Sequence, residues 1–397
     1  MTEIDRCPVF PFGKRDGVDP APEYAELREE RPITRVRLPS GHQAWLVTRH
    51  EDARRVFTDQ RLSRAASIDD PGGDFAGINP PAGSLFALDP PEHTQVRALV
   101  NKAFTARRVE NLKPEIDAVA RGLLADLVER GSPADLVTGF AQPLSMTVLC
   151  RLLGVPEADT GQFIAWSHAL LSTAGEGREV GEIRGRLAGY VARFIETRRQ
   201  DPADDLVSAL IEAVDAEAAA PHQAILLVMA VLVAGHDSMA NQLAATAYLL
   251  LTHPEIIERL RAEPAMIPET VEEFLRYTSL IAVGGFPRVA LEDVKIGDVL
   301  IEAGDTVIAA IDSANRDASV FADPDTLDID RRPRGHLAFG HGTHRCLGAQ
   351  LARAELAIAI TALLEAVPGM RLARPAPELE WEQESLGKGL RSLPITW

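Results

Sequence analysis

Cysteine is scarce in this chain. Among 397 residues there are three, Cys7, Cys150 and Cys346. They are too few and too scattered for a disulfide framework, which fits a reducing compartment. Linkers, repeats and low-complexity tracts are missing as well, and the Ala/Glu/Asp-rich run from Asp215 to Ala220 reads as a loop. A length prior of roughly 150 residues per domain would allow two or three domains, yet nothing in the composition marks a boundary, and one domain over 1–397 is expected. Basic residues are in deficit: 41 Lys and Arg stand against 58 Asp and Glu, a net charge of −17. That balance argues against nucleic acid and anionic membranes as partners, because both select basic surfaces. The opening Met1-Thr2-Glu3-Ile4-Asp5-Arg6 has no apolar core of the secretory kind. The longest apolar run, Ala224 to Gly235, is shorter than the ~20 residues that cross a bilayer. A soluble, cytoplasmic monomer is therefore the expectation.

What is present is concentrated near the end, in Phe339-Gly340-His341-Gly342-Thr343-His344-Arg345-Cys346-Leu347-Gly348. Glycines at 340, 342 and 348 permit tight backbone geometry and close approach to a flat ligand, and the segment from Ala349 to Leu364 has helical spacing. Cys346 is thus expected where a helix begins, and unpaired N–H groups at such an end favour a thiolate, the form that binds iron. A buried apolar thiol is the bland alternative. Zinc is a second, with His341, His344 and Cys346 close together, but structural zinc needs four ligands and no matching Cys/His pair occurs elsewhere.

The pattern F-G-x-G-x-H-x-C-x-G resembles the haem-binding signature of the cytochrome P450 family, and the resemblance spans nearly the whole chain. It implies the family's triangular, helix-rich fold, mainly α with a small β lobe. It also implies haem b bound through Cys346 as axial iron ligand, with Phe339, Gly340 and Gly348 framing the site, and a monooxygenase consuming O2. A thiolate ligand pushes electron density onto the iron and favours O–O cleavage. No flavin or nicotinamide fingerprint is evident, so the resemblance implies a ferredoxin and ferredoxin reductase as electron donors.

Helical spacing predicts helices near Glu92 to Lys102, Leu112 to Glu129, Gln142 to Leu153, Ile183 to Arg199 and Ala224 to Leu251. Strand-like runs are Ile33 to Leu38 and Ala44 to Thr48, then Phe286 to Ala290, Val294 to Ile296 and Thr306 to Ala310. This layout describes a small β lobe assembled from both ends of the chain.

In Val233-Ala234-Gly235-His236-Asp237-Ser238-Met239-Ala240-Asn241, polar groups and a glycine interrupt an apolar helix. Interior Gly costs up to about 1 kcal/mol against Ala, and a local distortion there can open a groove or seat a water; the alternative is a kinked core helix with its polar groups satisfied. In the resembled family this motif, Ala234 included, crosses the distal haem face. There an acid followed by an alcohol, here Asp237 and Ser238, supports proton delivery to dioxygen. Serine stands where threonine is usual and lacks the methyl that restricts χ1. His236 reads as packing.

Glu273 and Arg276, three apart, would ordinarily be an exposed ion pair contributing ~0 to 1 kcal/mol. They match the family's E-x-x-R motif, with Arg331 in the slot of its later arginine. Haem propionates need cationic partners, and the resemblance nominates His93 and Arg97, four apart on one helix face, with Arg288 and His344. Gln95 stands where the family commonly has arginine. Cys150 reads as packing and Cys7 as an inert thiol.

Lys102, Arg107, Arg108, Arg345 and Arg353 are locally basic in an acidic chain, which fits steering of an acidic ferredoxin; ordinary surface charge is the alternative. The family's pocket segments correspond to Arg64 to Leu88, Leu170 to Glu182, the Ala234 helix, Ile281 to Phe286 and Leu386 to Leu390. They are rich in Ala, Gly and Ser with few charges, fitting a large, weakly charged natural product such as a polyketide, peptide or terpenoid. Hydroxylation or epoxidation is the leading reading. Oxidative C–C or C–N coupling of aromatic or cyclic-dipeptide units is the alternative, and a haem sensor is the non-enzymatic one.

Overall fold

Two regions remote in sequence supply one sheet. The computed structural model describes residues 7–13, 17–68, 70, 80–172, 177–278, 280, 285–383, 385 and 387–397, and the chain clusters into two compact units. The first holds residues 1–94, 275–327 and 333–346; the second holds 95–274, 328–332 and 347–397.

In the first unit a hairpin of Ile33–Arg37 and Gln43–Val47 pairs Ile33 with Val47 and Arg37 with Gln43. Thr306–Ala309 then joins Gln43–Val47 in parallel, Arg288–Ala290 adds antiparallel, and Leu62–Ser63 closes the five-stranded sheet. A separate hairpin pairs Val294–Ile296 with Val299–Ile301. The expected strands are all present: Val294–Ile296 matches its expected bounds, Gln43–Val47 is shifted by one residue, and the other three are shorter by one or two residues at one end. Their β-branched residues pack with Val56, Phe57 and Leu337 into one apolar cluster. Leu337 matters for position. Its N–H donates to Asn315 Oδ1 at 2.6 Å and its carbonyl accepts from Gly340 at 2.8 Å, so the cysteine loop starts from the sheet's own core.

The second unit is built around Pro221–Thr252, a helix of 32 residues. Its Ala, Leu and Met content gives high helix propensity, and Pro221 sits in the first turn, where no N–H is needed. It packs against Gln142–Leu153, Thr160–Leu171, Gly177–Gln200, Leu206–Asp215 and Ala349–Ala366. By length and composition this helix could cross a membrane, which corrects the reading of the apolar run as too short. Half of its most apolar window is buried in the protein, as in a core helix. Ala106–Arg130 lies along Ala349–Ala366, and a small sheet joins Ala134–Asp135, Pro394–Thr396 and Arg371–Leu372. Every predicted helix is present. Glu23–Glu30, His50–Thr58, Thr160–Leu171, Leu206–Asp215 and Pro254–Ala262 were not anticipated.

Candidate active site

The first unit gathers a thiol and a cluster of cations. Cys346 is exposed, and its N–H donates to the Phe339 carbonyl at 2.8 Å, closing the loop on itself. Gly340 and Gly342 hold φ of 65° and 68°, the left-handed region that side chains resist. At Gly342 a Cβ would also lie 2.5 Å from the Phe57 carbonyl oxygen. Gly348 differs: its φ is −80°, and a Cβ there would only graze Phe104 at 3.9 Å. Neither strain nor packing within the protein explains that glycine. The following helix starts at Ala349, so Cys346 stands in the loop ahead of it rather than in its first turn.

His93, 1% exposed, lies with its ring centroid 4.2 Å from that of His344. Arg288 is buried, donates to the Leu62 carbonyl at 3.2 Å, and has no hydrogen-bond partner at Nε among the described residues. Arg64, also buried, donates to Ser67 Oγ at 2.8 Å and to the Pro287 carbonyl. Burial pushes Arg64 down to about 9, reinforced by Arg288 and opposed by Asp89, and burial pushes Arg288 down to about 10. Both remain cations at neutral pH, and Asp89 is the carboxylate that offsets each of them. The cluster has an excess of buried positive charge and an orphaned donor, which suits an anionic ligand such as a haem propionate. Arg97 is half-buried on the helix of His93, Glu92–Asn101.

In the second unit the helix is unbroken through Gly235 to Ser238. Gly235 has a different use. A Cβ there would sit 3.0 Å from both δ carbons of Leu149, so its absence lets helix Gln142–Leu153 approach closely. Ala234 is exposed, and Val231, Ser238 and Asn241 are half-buried, and these positions share one face of the helix. The Ser238 hydroxyl donates to the Ala234 carbonyl at 2.7 Å, a local bond that occupies its proton. Asp237 is buried beside this face and accepts from Asn241 Nδ2 at 3.0 Å. Burial raises its carboxyl above the usual range, and Glu382 adds to the rise while His168 and Asn241 oppose it.

Gly387 and Gly389 flank the acid's partner. A Cβ at Gly387 would fall 2.6 Å from Asp237 Oδ2 and from Asn241 Nδ2, and one at Gly389 would collide with Asn241 Oδ1. His236 is fully buried as a packing residue would be, with Nδ1 2.8 Å from Ser145 Oγ, and burial pushes it down to about 3.

The E-x-x-R motif is no surface pair. Glu273, 0% exposed, accepts from Arg331 Nε at 3.1 Å and from the Asp328 N–H at 3.0 Å. Arg276, 1% exposed, donates to the carbonyls of Asn315, Pro324 and Thr326. Two of the expected basic residues are already neutralised: Arg108 pairs with Asp204, and Arg353 pairs with Glu272 through both carboxylate oxygens. Lys102, Arg107 and Arg345 are exposed. Cys150 is fully buried and its thiol is pushed up to about 11, and Cys7 is half-buried. Of the nominated pocket segments, 69, 71–79, 173–176, 281–284 and 386 lie outside the described residues.

Sequence reasoning missed Asn241, Arg64 and Glu355. Asn241 was legible as the i+4 neighbour of Asp237. Arg64 had no signal, since its burial is tertiary. Glu355 interrupts the apolar face of Ala349–Ala366, and full burial pushes it up to about 8.

A thiol-bearing glycine loop, a buried cation cluster and an acid–alcohol helix are what a haem-thiolate oxygenase requires. The cytochrome P450 family profile matches residues 146–367. The chain is 45% identical over 401 residues, covering 100% of both chains, to nocardicin C N-oxygenase of Nocardia uniformis subsp. tsuyamanensis. It is 44% identical to the mycinamicin IV hydroxylase/epoxidase of Micromonospora griseorubida, over 98% of each chain. The LnmA cytochrome P450 hydroxylase of the leinamycin biosynthetic pathway of Streptomyces atroolivaceus S-140 superposes with a TM-score of 0.91 at 44% identity, covering 98% of this chain and 100% of that one. This chain belongs to the cytochrome P450 family. It is an oxidoreductase, a monooxygenase that works with haem and dioxygen.

Proposed function

We propose that this enzyme hydroxylates or epoxidises a large, weakly charged natural product, using haem b held by Cys346. The observation that carries the reading is the accessible face of Ala234 and Ser238 beside a buried Asp237, whose carboxyl burial pushes above the usual range, on the long helix of the second unit. When bound, haem supplies the redox-active iron at which dioxygen is cleaved. Cys346 would hold its iron through the thiolate. Phe339 and Gly340 shape the loop, and Gly348 lets backbone approach the flat face. Arg288, His93, His344 and Arg97 hold the propionates; the orphaned Arg288 Nε and the surplus of buried guanidinium charge support this.

Asp237 holds a proton and passes it toward the oxygen site, with Ser238 positioning the hydrogen bonds there. Asn241 and the glycines at 387 and 389 keep the carboxyl in place. The small residues Ala234 and Ser238 leave room on the accessible face, which fits a bulky substrate. The relatives that oxidise nocardicin C and mycinamicin IV point to the same chemical class for this chain. Electrons come from a ferredoxin and its reductase, with exposed Lys102 and Arg107 offering positive charge to an acidic partner.

The test is a spectral titration of the purified ferric protein with macrolides, terpenoids, flat aromatics and aromatic cyclic dipeptides. A low-spin to high-spin shift with macrolides or terpenoids, followed by a product heavier by one oxygen, is expected. A shift confined to aromatics or cyclic dipeptides, with products joined and lighter by hydrogen, would replace this reading with oxidative coupling.

A further inference from the structure

Two buried guanidiniums meet at the end of one ladder in the first unit, and neither has a carboxylate of its own. Arg64 is 3% exposed and Arg288 5% exposed. Leu62 pairs with Ala290 and Ser63 with Val289, which leaves Arg64 and Arg288 as the next residues along. Each side chain crosses to the other segment: Arg64 Nη1 donates to the Pro287 carbonyl, and Arg288 Nη1 donates to that of Leu62 at 3.2 Å. The two charges oppose one another, and like charges set across a ladder destabilise it. Asp89 is the nearby acid, but its oxygens already accept from the N–H groups of Arg64 and Ala65, at 3.0 and 3.2 Å, and from the Ser63 hydroxyl. Apart from Ser67 Oγ at 2.8 Å and the Pro287 carbonyl, both on Nη1, the Arg64 guanidinium has no hydrogen-bond partner among the described residues, and Arg288 Nε has none either. The rings of Phe286, 4.9 Å from Arg64 Cζ, and Phe57, 5.7 Å from Arg288 Cζ, offset part of the charge but carry no net negative charge. Buried cations with unused donors are costly until an anion accepts them.

We propose that Arg64 and Arg288 form one carboxylate-binding site, in which Arg64 binds the anion directly. A carboxylate has about four lone-pair positions, enough to accept from two guanidinium forks at once. The proposal rests on the reading of Arg288 as a propionate partner, which by itself leaves Arg64 without a role. Two sources of the carboxylate fit the site. One is a haem propionate. The other is the substrate, because Phe286, the ring beside Arg64, is 45% exposed, belongs to a nominated pocket segment and has the Phe86 ring 5.9 Å away.

The experiment compares wild type, Arg64→Gln, Arg64→Lys, Arg288→Gln and the double glutamine variant as haem-loaded proteins with intact ferrous-CO spectra. One arm measures haem release to excess apomyoglobin, for haem b and for its dimethyl ester, which has no carboxylate. The other titrates the ferric proteins with lauric acid and with methyl laurate and reads the spin-state shift. Arg64→Gln and Arg288→Gln are each expected to release haem b about tenfold faster or more and the ester no faster than wild type. In the double variant the two effects should combine less than additively, since both residues hold one anion. Arg64→Lys, which keeps the charge but loses the fork, should fall between wild type and Arg64→Gln. Normal haem release with lauric acid bound about tenfold more weakly by both variants, and methyl laurate unaffected, would assign the shared site to a substrate carboxylate and withdraw the propionate from Arg288. Release of both haems accelerated equally by Arg64→Gln would mean lost packing and would overturn the proposal. So would effects of Arg64 and Arg288 that fall on different arms. If the Arg64 variants match wild type on both arms while Arg288→Gln loses haem b, Arg64 is excluded and the reading of Arg288 stands; if Arg288→Gln matches wild type as well, both fail.

Discussion

Asn241 donates its side-chain amide to Asp237 at 3.0 Å, one turn along the same helix, while Gly387 packs so tightly that a Cβ there would intrude between them. The acid is therefore held by its own helix and covered by the C-terminal segment. Its carboxyl is pushed up by burial, which suits a group that must carry a proton near neutral pH.

Replacing Asp237 by asparagine keeps the shape and removes the titrating oxygen. Turnover should fall by roughly 10²-fold or more, the usual scale for a positioned acid–base group. The substrate-induced spin shift should keep its midpoint. Equal turnover in the two proteins, measured as product per minute, would end the assignment.

Gly387→Ala should mimic part of that loss without touching the acid. The new methyl would need the space of Asp237 Oδ2 and Asn241 Nδ2, each 2.6 Å away. Overpacking of this kind costs about 1 to 3 kcal/mol. A lower Tm together with slower turnover is expected, and the double variant with Asp237→Asn should be little slower than Asp237→Asn alone, since the two act on one group.

Glu355 makes stability depend on pH in an unusual direction. Burial pushes it up to about 8 from an unfolded value of 4.5. The folded state therefore binds more protons than the unfolded one between those values, and stability falls as pH rises through that window. Thermal unfolding across pH 5 to about 9 should show this decline, with Glu355→Gln giving a flatter curve. Parallel curves for the two proteins would mean that Glu355 is charged when folded.

The buried pair of Glu273 and Arg331, 0% and 11% exposed at 3.1 Å, belongs to the class whose disruption leaves an uncompensated charge. Glu273→Ala should cost about 3 to 5 kcal/mol and lower the yield of haem-loaded protein. Denaturant unfolding of whatever folds gives the number. A loss under about 1 kcal/mol would place the pair with ordinary surface bridges.

Local chemistry is legible in the order of the residues alone. The Phe339 to Gly348 run identified the thiol and its glycine frame because loop geometry at Gly340 and Gly342 is a property of neighbouring residues, and their positive φ values agree. The helix Gln142–Leu153 was bounded correctly because its apolar spacing and Gly154 stop signal are local. Short helices such as His50–Thr58 escaped because fewer than three turns carry little periodicity.

Tertiary structure decided the rest. From sequence, Gly235 is a defect in a helix; only the approach of Leu149 explains it. Glu273 and Arg276 look like an exposed i, i+3 pair, yet both are buried and each has partners more than 30 residues away. The burial of Asp237, Arg288 and Glu355, which displaces their proton equilibria, depends on which segments cover them. Residue types and their spacing determined the family and the chemistry available to this chain. The proton affinity of each group was set by desolvation and distant charge, which exist only once the chain is packed.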